Sequence, residues 1–164
     1  MRTFFVCTIL VFCCLAIGCS YRFVKIPTVA MQPTIPIDSH AIIDESAFTN
    51  NQVIERFDLV MHKAPLDEKH KKLGIDENTR FIFRIVGLSG EKVELKKGQV
   101  FINDKPLNEP FEKFESNDNF EPILVPKNEY FLLGDNRPES DDSRYWKPST
   151  IKRENVLGKV VKIF

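Results

Sequence analysis

No cysteine occurs after residue 19 of this 164-residue chain; all four (Cys7, Cys13, Cys14, Cys19) lie at the amino terminus. Whatever domain follows is thiol-free, which excludes a disulfide framework and a cysteine-ligated metal there. Histidine is scarce too. His40, His62 and His70 show neither ligand spacing nor an HExxH pattern, so no metal and no cofactor is expected. Net charge is also absent: 23 Lys and Arg balance 23 Asp and Glu, and no basic block stands out, so nothing points to nucleic acid. Lys69 to Lys72 cluster with His70, but Asp67, Glu68, Asp76 and Glu77 flank them, which reads as a solvated loop. Past Tyr21 no segment holds a 3.6-residue apolar period for three turns, which argues against long helices.

What is present begins with the amino terminus. Met1-Arg2 is followed by an uncharged, mostly apolar run from Thr3 to Tyr21. Such a run is membrane-directed, and two forms of it remain open. An uncleaved anchor needs about 20 apolar residues, which this run just reaches. The alternative is a lipoprotein signal: Leu15-Ala16-Ile17-Gly18-Cys19 has small residues before a cysteine, with Cys19 as the lipid-bearing first residue of the mature chain. Either form leaves residues 20–164 outside the cytoplasm, in a bacterial cell envelope and close to the membrane. Residues 1–19 are thus a signal or anchor, and 20–164 one domain with its own core.

That domain reads as mainly β. Short runs rich in β-branched and aromatic residues, bounded by turn-formers, fall at 56–62, 80–88, 92–95, 99–102, 130–133 and 157–163. Lys96-Lys97-Gly98 and Asn103-Asp104 mark the two ends of one hairpin strand. Two charged excursions interrupt the pattern, Ala64 to Thr79 and Asn108 to Asn119.

Four blocks carry the functional signal. Ile26-Pro27-Thr28-Val29-Ala30-Met31-Gln32-Pro33-Thr34 comes first, then Arg56-Phe57-Asp58-Leu59-Val60, then Arg84-Ile85-Val86-Gly87-Leu88-Ser89-Gly90-Glu91, then Gly134 to Arg144, GDNRPESDDSR. In this order and spacing they resemble the type I signal peptidases, whose corresponding blocks are I-P-S-x-S-M-x-P-T, R-G-D, K-R-hydrophobic-hydrophobic-G-L-P-G-D and G-D-N-R-x-x-S-x-D-S-R. The resemblance runs from about Tyr21 to Phe164, with departures at Phe57 and Ser89. It implies an all-β (mainly) fold of coiled antiparallel sheets around an apolar groove. It also implies a membrane-bound serine endopeptidase that removes signal peptides with a Ser–Lys dyad, whose lysine is kept neutral by apolar surroundings.

Carried over residue by residue, the resemblance puts the nucleophile at Ala30 and the general base, just before Arg84, at Phe83. Neither side chain can do that work. Thr28 keeps a hydroxyl at the oxyanion position, and Ser140 keeps the one that would steady the lysine. Ile26, Pro27, Met31, Ile35 and Ile82 match the pocket for the small residue before the cleavage site. Arg80-Phe81-Ile82 matches the strand along which an extended peptide would lie. Asp142 and Arg144 match an ion pair, and with Gly134, Asp135 and Asn136 they equally suit a purely structural brace.

Loss of a serine-protease nucleophile costs on the order of 10⁶ in turnover. No replacement is evident: on an extended strand Thr28 would stand about 7 Å from residue 30, and Thr34 and Ser39 have no base placed by the pattern. A buried lysine is destabilising, so Phe83 is a natural substitute once the serine has gone. The leading reading is a catalytically inactive relative whose groove still binds extended peptides or signal peptides of exported proteins, beside the membrane and alongside an active paralogue. An active peptidase with a non-standard nucleophile is the second reading. A structural lipoprotein with an inherited fold, interacting through the acidic 108–119 excursion, is the third.

Overall fold

The structure, a computed structural model, describes residues 20–49, 52–111, 114 and 116–164. The expectations for residues 1–19, including Cys19, lie outside these. Among the described residues, no helix is long and apolar enough to cross a membrane.

The chain forms strands β1 (Tyr21–Lys25), β2 (His40–Asp44), β3 (Leu59–Lys63), β4 (Arg80–Gly87), β5 (Lys92–Lys96), β6 (Gln99–Ile102), β7 (Lys105–Pro106), β8 (Phe120–Leu124), β9 (Glu129–Leu133), β10 (Ile151–Lys152) and β11 (Val156–Ile163). A seven-stranded sheet runs β1-β2-β11-β3-β4-β9-β10, and a four-stranded sheet runs β7-β6-β5-β8. The pairings are antiparallel, and register shifts fall within β4, β5 and β11. The all-β expectation holds.

Two apolar clusters share β4 and β9. Phe83 and Ile85 of β4 and Leu132 of β9 enter the cluster that holds Ile26, Met31, Ile35, Val60 and Trp146. Val86 of β4 and Phe131 and Leu133 of β9 enter the other, with Val93, Leu95 and Val100. Because both faces are covered, β4 reads in sequence as a nearly continuous apolar run, not an alternating one. The shift after Ile85 turns the strand, so that Val86 faces the smaller sheet.

Several expectations are refined. Residues 56–57 are a turn and not the start of β3: Phe57 takes φ 74° and its N–H donates to Ile85 O at 2.7 Å. Lys69 to Lys72 are no solvated loop but part of a short helix, α1 (Glu68–Lys72), capped by Asp67, with His70 buried. Its basic residues face solvent while the imidazole packs inward, which the run of charge concealed. In the 108–119 excursion, Glu109 is buried against Arg137 at 2.5 Å and Asp118 pairs with Arg144. Two of its acids are therefore used inside the fold and do not form an open acidic surface.

Candidate functional site

The segment after β1 does not stay extended. Ile26 N–H donates to Ser39 O at 2.9 Å and its carbonyl accepts from Asp38 N–H at 2.8 Å. Beyond Thr28 the backbone coils: Gln32 N–H donates to Val29 O at 3.0 Å and Ile35 N–H to Met31 O at 2.8 Å. Thr28 and Ala30 therefore do not lie on one extended strand, the geometry from which their separation of about 7 Å was reckoned. Both line the same groove.

A second loop grips this coil from the far end of the chain. Asn136 donates its N–H to Ala30 O at 3.0 Å and its Nδ2–H to Val29 O at 3.2 Å. Gly134 lets the two loops touch. A Cβ there would stand 2.6 Å from Ala30 O and 2.2 Å from Ser140 Oγ, closer than side-chain carbons approach either atom. Asp142 organises the same turn: its Oδ2 accepts from Gly134 N–H at 3.0 Å and from Ser140 Oγ at 2.8 Å. Arg144 Nε donates to Asp142 Oδ1 at 2.8 Å, and its Nη2 to Arg137 O at 2.7 Å. Asp135, fully buried, takes both prongs of Arg84, Nε at 2.8 Å and Nη2 at 2.6 Å, and accepts from the Thr34 hydroxyl. The Arg84 guanidinium also lies 3.9 Å over the Phe111 ring.

The groove so formed encloses about 360 Å³. One wall is Lys25, Ile26, Pro27 and Thr28, with Ala30, Met31 and Ile35 below. The other is Arg80, Phe81, Ile82 and Phe83 of β4. The structure thus brings together at one surface every position that the resemblance assigns to the dyad, to the oxyanion hydroxyl and to the peptide. Ser140 is the exception. It lies beneath Gly134 and gives its hydroxyl to Asp142, while its neighbours Glu139 and Asp141 line the groove.

Behind the groove, Phe83 is buried in an aromatic cluster. Its ring centroid is 5.6 Å from Trp146, 5.9 Å from His62 and 6.0 Å from Phe81. His62 of β3 is fully buried; its Nδ1 faces Lys63 O at 2.8 Å, and its Nε2 has no hydrogen-bond partner. Burial lowers its pKa from 6.5 to about 4, the Lys63 carbonyl opposing only in part, so the ring is neutral near pH 7. Sequence reasoning missed His62, His70 and Trp146, because nothing in their local pattern marks a side chain that packs across strands.

At the rim, His70 joins α1 to the groove. Its Nδ1 lies 2.6 Å from Asp67 Oδ1 and its Nε2 lies 3.4 Å from Asp141 Oδ2, which also pairs with Lys69 Nζ at 2.8 Å. The Ser39 hydroxyl donates to Pro36 O at 2.5 Å and the Thr34 hydroxyl is held by Asp135, so both are engaged away from Ala30.

An apolar groove thus lies between the β4 strand and a loop held by a hydrogen bond across more than 100 residues of sequence, and β4 offers an edge with which an extended chain can pair. The chain belongs to the family described as signal peptidase, peptidase S26, which it matches over residues 1–164. It is 32% identical to the signal peptidase I of Leptolyngbya laminosa, over 85% of this chain and 66% of that protein. Against the signal peptidase I V of Bacillus subtilis it is 33% identical, covering 82% of this chain and 80% of the relative. Thylakoidal processing peptidase 1 of Arabidopsis thaliana is 35% identical over 84% of this chain but only 40% of its own length. The chain therefore spans under two thirds of several of the relatives it matches. Among solved structures it resembles a signal peptidase I from Enterococcus faecalis, with a TM-score of 0.51 and 30% identity over 68% of this chain and 98% of that one.

Proposed function

We propose that this protein is a membrane-associated, catalytically inactive signal peptidase relative that binds extended, signal-peptide-like segments of exported proteins in its groove. The observation that carries the reading is the pairing of an ordered groove with a methyl group at residue 30 and a phenyl ring at residue 83, the two positions where the resemblance calls for nucleophile and base. Hydrolysis needs an attacking atom and a proton acceptor. The nearby hydroxyls of Thr34 and Ser39 are committed to Asp135 and Pro36. Binding needs neither group: an extended peptide can hydrogen-bond along a strand edge and seat one apolar side chain among Ile26, Met31, Ile35 and Ile82.

Residues 1–19 hold the domain at the membrane in this reading, through Cys19 as a lipid anchor or through an uncleaved apolar span, and an intact member of the family is a candidate partner. One experiment tests both halves. The full chain in detergent is titrated with peptides spanning the processing sites of exported precursors, and the same mixtures are followed by mass spectrometry. Saturable binding without cleavage is expected. Cleavage at the precursor junction would revive the active-peptidase reading, and no binding at millimolar peptide would remove the groove from the function.

A further inference from the structure

We propose that the far edge of the large sheet, at β10, is a docking site for an extended acidic segment of another protein. β1 and β10 are the two edge strands of the seven-stranded sheet. β1 leads into the groove, whereas β10 borders two open clefts of about 480 and 620 Å³. Lys152 of β10 and the nearby Glu154 line both clefts, which therefore form one trough along the free edge. Among the described residues, none that lines the trough also lines the groove. The trough is a separate site, and the inference does not depend on what the groove binds.

The edge offers backbone, apolar surface and charge together. Arg153 N–H donates to Asn128 O at 2.7 Å on the β9 side, so by the alternation of an antiparallel ladder Lys152 turns its own N–H and carbonyl outward. Pro65, Leu66, Pro148 and Ile151 supply the apolar part. Around them the lining carries five cations, Lys63, Lys127, Lys147, Lys152 and Arg153, against three acids, Glu77, Glu129 and Glu154. Two of those acids are engaged: Glu154 lies 3.9 Å from Lys152, and Glu129 accepts the Thr150 hydroxyl. Lys63, Lys127 and Lys147 make no ion pair among the described residues, and Arg153 donates only to the uncharged carbonyls of Phe48 and Gln52. An incoming strand with carboxylates meets unpaired cations and an open backbone, whereas a basic strand is repelled. Lysine on an edge strand also guards against unwanted pairing; the clefts beside β10, and the unpaired cations in them, make this edge selective instead. A protein built this way holds two partners at once, one in the groove and one at the opposite edge of the same sheet.

The test uses the full chain in detergent at pH 7 and short blocked peptides in which threonine alternates with glutamate, glutamine or lysine. Glutamate and glutamine are nearly isosteric, so their difference reports the charge. Calorimetry is expected to show the glutamate peptide binding at least tenfold more tightly than the glutamine peptide, with the lysine peptide inert and the affinity falling as salt rises. The amide NMR signals of Ile151 and Lys152 should shift on binding, and a precursor peptide should not compete. Lys63→Glu with Lys147→Glu should weaken the glutamate peptide at least tenfold while leaving the denaturant midpoint unchanged. Equal binding of the glutamate and glutamine peptides, displacement by a precursor peptide, or indifference to the double variant overturns the inference. Binding of none of the three at millimolar concentration also overturns it, leaves β10 a guarded edge, and says nothing against the groove.

Discussion

Acidification is expected to destabilise this domain through His62, in a pH window set by its burial. The unfolded chain takes up a proton at this side chain near the ordinary value of 6.5, whereas in the fold the buried ring holds none until about pH 4. Between those values the unfolded state binds more protons, so stability falls as pH falls. It is fully present above 6.5, and no more is lost through this group once pH drops below about 4. At 1.36 kcal/mol per pH unit, the stabilisation lost between pH 7.5 and pH 4.5 is roughly 2.5 kcal/mol, a large part of a typical domain's margin. Urea unfolding followed by Trp146 fluorescence at several pH values measures it. His62→Leu, similar in volume and unable to titrate, should lose that part of the slope even if its stability at pH 7.5 differs. The reasoning is refuted if wild type and His62→Leu weaken in parallel from pH 6.5 to 4.5.

Restoring the dyad requires both substitutions. Ala30→Ser alone should leave precursor cleavage undetectable by mass spectrometry, and Ala30→Ser with Phe83→Lys should give weak cleavage, limited by the loss of aromatic packing. Phe83→Lys removes a ring from its aromatic cluster and buries an amine there, so the double variant should also show a clearly lowered denaturant midpoint. Gly134→Ala forces a carbon to within 2.6 Å of Ala30 O and should either unfold the domain or weaken peptide binding more than tenfold, read by calorimetry. Arg84→Met leaves the fully buried Asp135 carboxylate without its two-pronged partner and should cost about 3–5 kcal/mol in urea unfolding, a loss that adding Asp135→Asn partly recovers.

Strand β6 was legible because its ends carry their own chemistry: Gly98, Asn103 and Asp104 adopt positive φ, a conformation those turn residues announce in sequence, and Lys97 follows its neighbour into it. Strand β8 was not, since Pro122 breaks its pattern, and it is tolerated only because β8 lies at the edge of the smaller sheet. Strands β1 and β2 escaped notice as well. They are five residues each, and Tyr21 reads as the end of the apolar run before it. Within the groove the residues of both walls could be named from the motifs, Ile26 to Ile35 on one side and Arg80 to Phe83 on the other. Among the acids, the motif paired Asp142 with Arg144, but Glu109 and Asp118 could not be placed, because their partners Arg137 and Arg144 lie 28 and 26 residues away.

The grip of Asn136 on residues 29 and 30 has a consequence for how the molecule comes into being. A ribosome makes the Ala30 loop early and the segment that fixes it more than a hundred residues later, and the neighbour of β2 in the large sheet, β11, comes last among the described strands. Until that tail has emerged, the nascent polypeptide has the sequence of a recognition cleft without its shape. Maturation of the cleft is thus timed by the emergence of Asn136 and β11, and a deletion of β11 should abolish ligand capture as surely as an injury at its centre.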